Sequence, residues 1–144
     1  MADMQNIPKA KSGRKPKMLI LATEACAYPG ANYVSQTHTD YATNSYIMRV
    51  LSPAVFPEEF YLRCFEKGID GIIVMACGHE CPYPGAFPRL AKRISAVQAK
   101  MKERGIDVRR LRVCAICTVC AKAFLKEVNQ MAELLSELGT VQAA

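Results

Sequence analysis

Four short apolar runs, each followed by a segment suited to a helix or loop, constrain the fold of this chain more than any other feature. The runs are Met18–Thr23, Ser45–Leu51, Gly71–Ala76 and Leu111–Ile116. The first and third lack the alternation of polar and apolar residues that marks a half-exposed strand. This composition is typical of strands buried on both faces of a parallel sheet.

The segments between the runs carry helical signals. Apolar residues at helical spacing predict helices over Phe56–Lys67, Pro88–Gly105 and Val119–Leu138. Pro57 and Glu58 suit the first turn of the first of these helices, and Gly68 suits its end. After the first run, Tyr28-Pro29-Gly30 predicts a turn, and Ala31–Thr37 predicts a short helix or loop.

Fourfold alternation of strand and helix favours a parallel sheet with helices on both faces and right-handed crossovers. We therefore predict an α/β, flavodoxin-like three-layer fold with a four-stranded sheet in the order 2-1-3-4. A length of 144 residues suits one such domain. We expect a basic flexible arm at residues 1–17, the folded domain at 18–139 and a frayed tail at 140–144.

The positive charge is concentrated near the N-terminus. Residues 1–17 carry a net charge of +4 out of a formal +6, so the predicted domain carries only +2. This is too little for the continuous basic face of a nucleic-acid-binding protein, and we expect no nucleic-acid partner. The sequence has no apolar run of the roughly 18 residues that cross a bilayer and no signal-peptide pattern. We therefore expect a cytoplasmic protein without a membrane span.

Seven cysteines in a chain expected to be cytoplasmic favour metal or redox chemistry over a disulfide framework. Six of them fall at the predicted carboxyl ends of strands, which is the edge where open parallel sheets place their sites. They are Cys26 after the first run, Cys77 and Cys81 after the third, and Cys114, Cys117 and Cys120 around the end of the fourth. We therefore expect these thiols to converge.

Converging thiolates are ligands for soft metal centres, because four of them hold a 2Fe-2S cluster, a 4Fe-4S cluster or zinc. The predicted metal ligands come mainly from Cys26, Cys77, Cys81, Cys117 and Cys120. Cys114 is a weaker candidate because it falls within the predicted fourth strand. Cys64 lies on the apolar face of a predicted helix, and we expect it to be a packing residue.

One short internal repeat accompanies the cysteines. The segment Cys26-Ala-Tyr28-Pro29-Gly30-Ala31 matches Cys81-Pro-Tyr83-Pro84-Gly85-Ala86 at five of six positions. One interpretation is coincidental reuse of a good turn. The other is one device used twice, in which a thiolate follows a strand, an aromatic residue packs beside it, and a Pro-Gly turn leads the chain away.

Several short segments together resemble one protein family. They are Cys26-Ala-Tyr28-Pro-Gly30-Ala31-Asn32, Arg49-Val50, Phe65-Glu-Lys-Gly68-Ile-Asp70-Gly71, Cys77 with Cys81-Pro-Tyr83, Gly105-Ile106 and Leu111-Arg112. In this order, from Met18 to Gly139, the chain resembles the iron-sulfur (delta) subunit of methyl-viologen-reducing hydrogenase, a small flavodoxin-like protein.

The resemblance implies an electron carrier with an iron-sulfur cluster and favours 2Fe-2S, with 4Fe-4S as the other possibility. It also implies a hetero-oligomer in which the chain joins a hydrogenase or formate dehydrogenase to the flavoprotein A-subunit of heterodisulfide reductase. The chain departs from the family pattern, because Ala22, Thr23 and Ser52 stand where the family has cysteines. Conversely, the family lacks cysteines at the positions from Cys114 to Cys120. Our hypothesis is that ligands lost near strands one and two are replaced from strand four.

The chain shows no motif for acyl, phosphoryl or hydride transfer, so we do not expect it to be catalytic alone. Three alternatives to an electron carrier stay open from the sequence. A structural zinc module would use the same thiols. A dithiol redox protein would use Cys114-x-x-Cys117 or Cys117-x-x-Cys120. The last alternative is a scaffold that has lost its cluster.

Overall fold

A computed structural model describes residues 14–78 and 82–141 and shows strands and helices in strict alternation. The elements are β1 (Met18–Thr23), α1 (Ala27–Gln36), β2 (Ser45–Val50), α2 (Glu58–Glu66), β3 (Gly71–Ala76), α3 (Ala86–Glu103), β4 (Leu111–Ala115) and α4 (Ala121–Leu138). Short 3-10 turns occupy Pro53–Val55 and Val108–Arg110. None of the helices in these described ranges has the length and hydropathy of a bilayer-spanning segment.

The sheet is four-stranded and parallel, with the order β2-β1-β3-β4. Met18 at the start of β1 pairs with Ser45 of β2 and with Gly71 of β3, and Met75 of β3 pairs with Cys114 of β4. The predicted flavodoxin-like fold and strand order are therefore confirmed. Because every strand runs the same way, the loops after the four strands meet at one edge, which we call the carboxyl edge.

Two apolar cores lie on opposite faces of the sheet. Helices α1 and α4 cover one face, and their buried residues pack with Ile20 of β1 and Ile73 of β3. Helices α2 and α3 cover the other face and pack with Leu21 and Val74. We call these the α1/α4 core and the α2/α3 core. Every residue of β1 and β3 is buried, which explains why their sequences lack alternation.

The helix predictions are confirmed to within two residues at each end, except for the first. Helix α1 begins at Ala27, so the turn predicted at Tyr28-Pro29-Gly30 is wrong. Proline is compatible with the first turn of a helix because the N–H groups there have no intrahelical acceptor. The residues Tyr28-Pro29-Gly30 therefore fit the start of a helix as well as a turn.

The two copies of the internal repeat adopt different conformations. Gly30 lies inside α1, whereas Gly85 has a φ angle of 72° and precedes α3. The left-handed region favours glycine, so only the second copy uses its glycine to turn the chain. The interpretation of one Pro-Gly device used twice is wrong for these residues. Cys81, which begins the second copy, lies outside the described residues.

At the opposite edge of the sheet, the Asp70 carboxylate joins both described ends of the chain. Its side chain is fully buried. It accepts hydrogen bonds from the Arg14 guanidinium at 2.6 and 3.1 Å, from the Lys17 N–H at 2.7 Å and from the Val141 N–H at 2.7 Å. Buried Arg110 donates to the carbonyls of Asp70 and Gly139 at 3.0 and 2.8 Å. Residues 14–17 and 140–141 therefore contact the folded body, although they fall within the predicted arm and tail.

Replacing this carboxylate should destabilise the fold. In Asp70→Ala, two backbone N–H groups and the Arg14 guanidinium lose their acceptor, and we expect the free energy of unfolding to fall by about 3 kcal/mol. Chemical denaturation measures the change. Glu66→Ala is the matched control, because Glu66 forms only an exposed ion pair with Arg104, and its loss should cost less than about 1 kcal/mol. Equal small effects of the two variants would contradict the role assigned to Asp70.

Candidate functional site

Cys26 lies where the chain passes from β1 into α1. Its side chain is 1% exposed and belongs to the α1/α4 core. Its N–H donates to the carbonyl of Thr23 at 3.2 Å, which closes a tight turn at the end of β1. The next strand supports this turn, because the Glu24 N–H donates to the carbonyl of Val50 at 2.8 Å. The turn therefore holds Cys26 at the carboxyl edge, facing the core.

Cys77 follows β3 directly and is 3% exposed. The neighbouring strands hold the end of β3 from both sides. The Thr23 hydroxyl of β1 donates to the carbonyl of Met75 at 2.8 Å, and the Ile116 N–H beyond β4 donates to the carbonyl of Ala76 at 3.0 Å. Cys77 belongs to the same α1/α4 core as Cys26. The structure thus brings these two predicted ligands to one core at one edge, while Cys81 lies outside the described residues.

Cys114 lies within β4, as the sequence predicted, and its side chain packs against the α1/α4 core. Burial raises the pKa of the Cys114 thiol to about 12. The negative charge of Glu127 contributes to this rise in pKa, and the positive charge of Arg112 opposes it. Glu127 and Arg112 form an ion pair at 3.4 Å. In this environment Cys114 is a protonated thiol at neutral pH.

Cys117 and Cys120 are joined by a disulfide bond between β4 and α4. Their Cα atoms lie 5.2 Å apart, within the usual range for such a bond. Cys120 is the N-cap residue of α4, and its carbonyl accepts from the Phe124 N–H at 3.0 Å. Of the two dithiol pairs considered from the sequence, the structure forms Cys117-x-x-Cys120.

The thiols placed by the structure fit a four-thiolate metal site only in part. Cys26 and Cys77 share a core at the carboxyl edge, but Cys117 and Cys120 are bonded to each other. Within residues 14–78 and 82–141, no group of three or more His, Cys, Asp or Glu side chains is placed to hold a metal ion. A complete ligand set therefore requires Cys81, a changed arrangement of the other thiols, or both.

Cys64 lies on α2, away from these thiols. It packs against the α2/α3 core on the other face of the sheet, and burial raises its pKa. The interpretation of Cys64 as a packing residue is confirmed.

Two contacts at the carboxyl edge escaped the sequence analysis. The Arg49 guanidinium lies 5.3 Å from the centre of the Tyr28 ring and forms an ion pair with Glu24. The Thr118 hydroxyl donates to the carbonyl of Ala25 at 3.4 Å, which joins the disulfide loop to the turn before Cys26. Each contact links loops or strands far apart in sequence. The Arg49 contact can be inferred only once the register of β1 and β2 is known. No sequence signal indicates the Thr118 contact.

The pKa of Cys114 gives its alkylation a distinctive pH profile. A thiol with a pKa of about 12 has a thiolate fraction of about 10⁻⁴ at pH 8, against about one quarter for an ordinary thiol. In the native protein we expect Cys114 to react with iodoacetamide about a thousandfold more slowly than in the denatured chain. Its rate should rise about tenfold per pH unit up to pH 11, whereas the rate in the denatured chain levels off above about pH 9. Peptide mass spectrometry follows the rate, and equal native and denatured rates would contradict the assignment.

Comparison with known proteins places this fold and these residues in a family. A family model described as methyl-viologen-reducing hydrogenase, delta subunit, matches residues 18–139. The vhu iron-sulfur D-subunit of the F420-non-reducing hydrogenase of Methanocaldococcus jannaschii is 23% identical over 125 residues, covering 86% of this chain and 93% of the relative.

Two much longer relatives also match. The chain is 27% identical over 133 residues to the A-subunit of the ferredoxin/F420H2-dependent CoB-CoM heterodisulfide reductase of Methanosarcina acetivorans. It is 26% identical over 133 residues to the A-subunit of the ferredoxin:CoB-CoM heterodisulfide reductase of Methanosarcina mazei. Each match covers 92% of this chain but only 17% of the relative. Because the family model covers most of the chain, the chain belongs to the family of the delta subunit of methyl-viologen-reducing hydrogenase.

Proposed function

We propose that this chain is a cytoplasmic electron-transfer subunit of an oxidoreductase complex and is not catalytic alone. Its proposed role is to relay electrons between a hydrogenase- or formate dehydrogenase-like partner, or another redox partner, and a flavoprotein similar to the A-subunit of heterodisulfide reductase. One observation carries the proposal. The chain aligns with a segment of the heterodisulfide reductase A-subunit in two relatives and with nearly all of a separate hydrogenase subunit in a third.

The occurrence of this unit both inside a longer protein and as a separate subunit indicates what the chain binds. In the Methanosarcina relatives the matching segment is covalently part of an A-subunit polypeptide that is several times longer. In the Methanocaldococcus relative the match spans 93% of a separate subunit. A unit that is fused to a larger protein in one lineage and separate in another typically associates with that larger protein when separate. The comparison therefore supports a hetero-oligomer with a flavoprotein of the A-subunit type.

For the redox centre we propose an iron-sulfur cluster held by thiolates at the carboxyl edge. Four of the thiolates of Cys26, Cys77, Cys81, Cys117 and Cys120, with Cys114 as a weaker candidate, would hold the cluster. A 2Fe-2S cluster is favoured by the family resemblance, and 4Fe-4S has the same requirement for four thiolates. The bound cluster would supply one-electron transfer. The chain itself would exclude water by burying Cys26 and Cys77, and such burial is one determinant of cluster potential.

Exposed apolar side chains surround the same edge. Leu51 follows β2 and is 67% exposed, Val55 is 73% exposed, and Tyr83, between β3 and α3, is 46% exposed. Leu51 and Tyr83 also line a small apolar cleft that reaches Cys77. Apolar surface of this kind commonly marks protein interaction sites. Electron transfer slows steeply with distance, so a partner bound at this edge would lie favourably close to the proposed centre.

The cluster proposal is tested by metal analysis of single cysteine variants. We expect the anaerobically purified protein to contain iron and acid-labile sulfide, and Cys77→Ser or Cys81→Ser to lose most of both, because each removes a thiolate ligand. Cys64→Ser is the matched control and should retain the iron and the visible spectrum, since Cys64 lies on the opposite face of the sheet. Stoichiometric zinc without sulfide would instead support a structural zinc module. Loss of iron in Cys64→Ser alone would contradict the ligand assignment.

The partner proposal is tested by purification from the native source under anaerobic conditions. We expect the chain to co-purify at constant stoichiometry with a flavoprotein of the A-subunit type and a second redox subunit, identified by mass spectrometry. Reduction of that complex through the second subunit should then reduce the flavin, and a complex reconstituted without this chain should not transfer those electrons. A chain that purifies alone and never alters electron flow to the flavin would contradict the proposal.

A further inference from the structure

We propose that Cys117 and Cys120 form a reversible disulfide/dithiol redox site, separate from the metal ligands, that exchanges electrons with a dithiol of another protein or of a small molecule. This inference goes beyond the proposed function and does not depend on the presence of a cluster. It arises because the structure bonds Cys117 to Cys120, although the sequence analysis predicted both as metal ligands.

The pairing is selective among three cysteines at equal spacing. Cys114 and Cys117 are separated by the same number of residues as Cys117 and Cys120, yet only the second pair is bonded. Cys114 is held in strand β4 and packs against the α1/α4 core. Cys117 and Cys120 lie in the turn that follows, where the Cys120 N–H donates to the carbonyl of Cys117 at 3.2 Å. Extended backbone thus separates Cys114 from the pair, and the tight turn brings Cys117 and Cys120 together.

The disulfide lies at the surface. Thr118 and Val119, between the two cysteines, are exposed, and Val119 is 91% exposed. Cys117 and Cys120 are themselves half-buried, in contrast to the buried side chains of Cys26 and Cys77. Although Cys120 also packs against the α1/α4 core, an incoming thiol can approach this half-exposed pair from the side of Thr118 and Val119.

The disulfide stands at the N-terminal end of α4. Cys120 is the N-cap residue of this 18-residue helix, whose first turn carries no acidic residue. Lys122 adds a basic side chain to the same turn. The partial positive charge of a helix N-terminus stabilises a thiolate, which makes a cysteine at this position a better leaving group in disulfide exchange.

The proposed reaction is thiol-disulfide exchange in two steps. A thiolate of the partner attacks one sulfur of the pair, so that a mixed disulfide forms and the other cysteine leaves as a thiolate. The second thiol of the partner then attacks the mixed disulfide. Two electrons and two protons pass to the chain, Cys117 and Cys120 become thiols, and the partner becomes a disulfide. The reverse sequence oxidises the pair.

This assignment narrows the ligand pool of the proposed cluster. A sulfur atom in a disulfide is not a thiolate, so the oxidised pair cannot supply ligands. The predicted ligands that then remain are Cys26, Cys77 and Cys114 at or near the carboxyl edge, and Cys81, which lies outside the described residues.

A thiol titration of the full chain tests the proposal. Cleavage after Arg112 and Lys122 releases one tryptic peptide, residues 113–122, which carries Cys114, Cys117 and Cys120. The anaerobic protein is equilibrated with graded ratios of reduced and oxidised dithiothreitol, quenched with acid, denatured, alkylated and digested. We expect this peptide to change from one alkyl group to three in a single two-electron transition, and from none to two in Cys114→Ser. One alkyl group at every ratio, or three at every ratio, would overturn the proposal.

Metal content of the double variant C117S/C120S tests the separation of the two sites. We expect it to retain the iron content of the wild-type protein, with Cys64→Ser as the matched control and circular dichroism to confirm folding. Loss of iron in the folded double variant, with iron retained in Cys64→Ser, would make the pair ligands and overturn the proposal. If the wild-type protein binds no iron, the cluster proposal fails, whereas the thiol titration still decides the present inference.

Discussion

Parallel pairing of four strands is the constraint on which the remaining structure depends. Because β1 and β3 are buried on both faces, each must be covered by helices above and below, and each return to the sheet must pass through a helix. The loops that leave the strands then meet at one edge. Sequence positions as distant as Cys26, Cys77 and Cys117 are thereby brought near one another without any contact between their side chains being required. Cys26, Cys77 and Cys117 follow strands that end at that edge, because the topology leaves no other place for the strand ends.

The fold could be predicted from the sequence because a strand buried on both faces lacks the alternation of polar and apolar residues. Met18–Thr23 and Gly71–Ala76 are apolar at both even and odd positions, and the structure shows Ile20 in one core and Leu21 in the other. The start of α1 was not predictable in the same way. Pro29 and Gly30 suit a turn as well as a first helical turn, and packing of Cys26, Ala27 and Ala31 into the α1/α4 core decides for the helix. At this position, burial in the core overrides the local preference of Pro29 and Gly30 for a turn.

The position of the candidate site could be predicted from the sequence, but which cysteines bond to each other could not. Topology alone places Cys77 after β3 and Cys120 before α4, so a shared edge follows from the order of the strands. Which thiols face each other depends on turns a few residues long, such as the one that joins Cys117 to Cys120. It also depends on contacts between loops, such as that of Thr118 with Ala25. Cysteine spacing does not distinguish a metal ligand from a disulfide partner, since both use the same short loop.

Bonding separates two kinds of cysteine near the carboxyl edge, because Cys117 and Cys120 form a disulfide whereas Cys26 and Cys114 are thiols. Cys114, half-buried against the α1/α4 core, shows what an apolar environment does to a thiol, since its pKa of about 12 disfavours the thiolate unless a metal ion replaces the proton. Cys117 and Cys120 are also half-buried, but they stand before the N-terminus of α4 with exposed Thr118 and Val119 between them. A thiol whose surroundings disfavour the thiolate suits metal binding, in which the metal ion replaces the proton, and the disulfide pair suits the two-electron exchange with another dithiol that we propose. Both proposed sites would then lie near one edge, where a single bound partner could reach them.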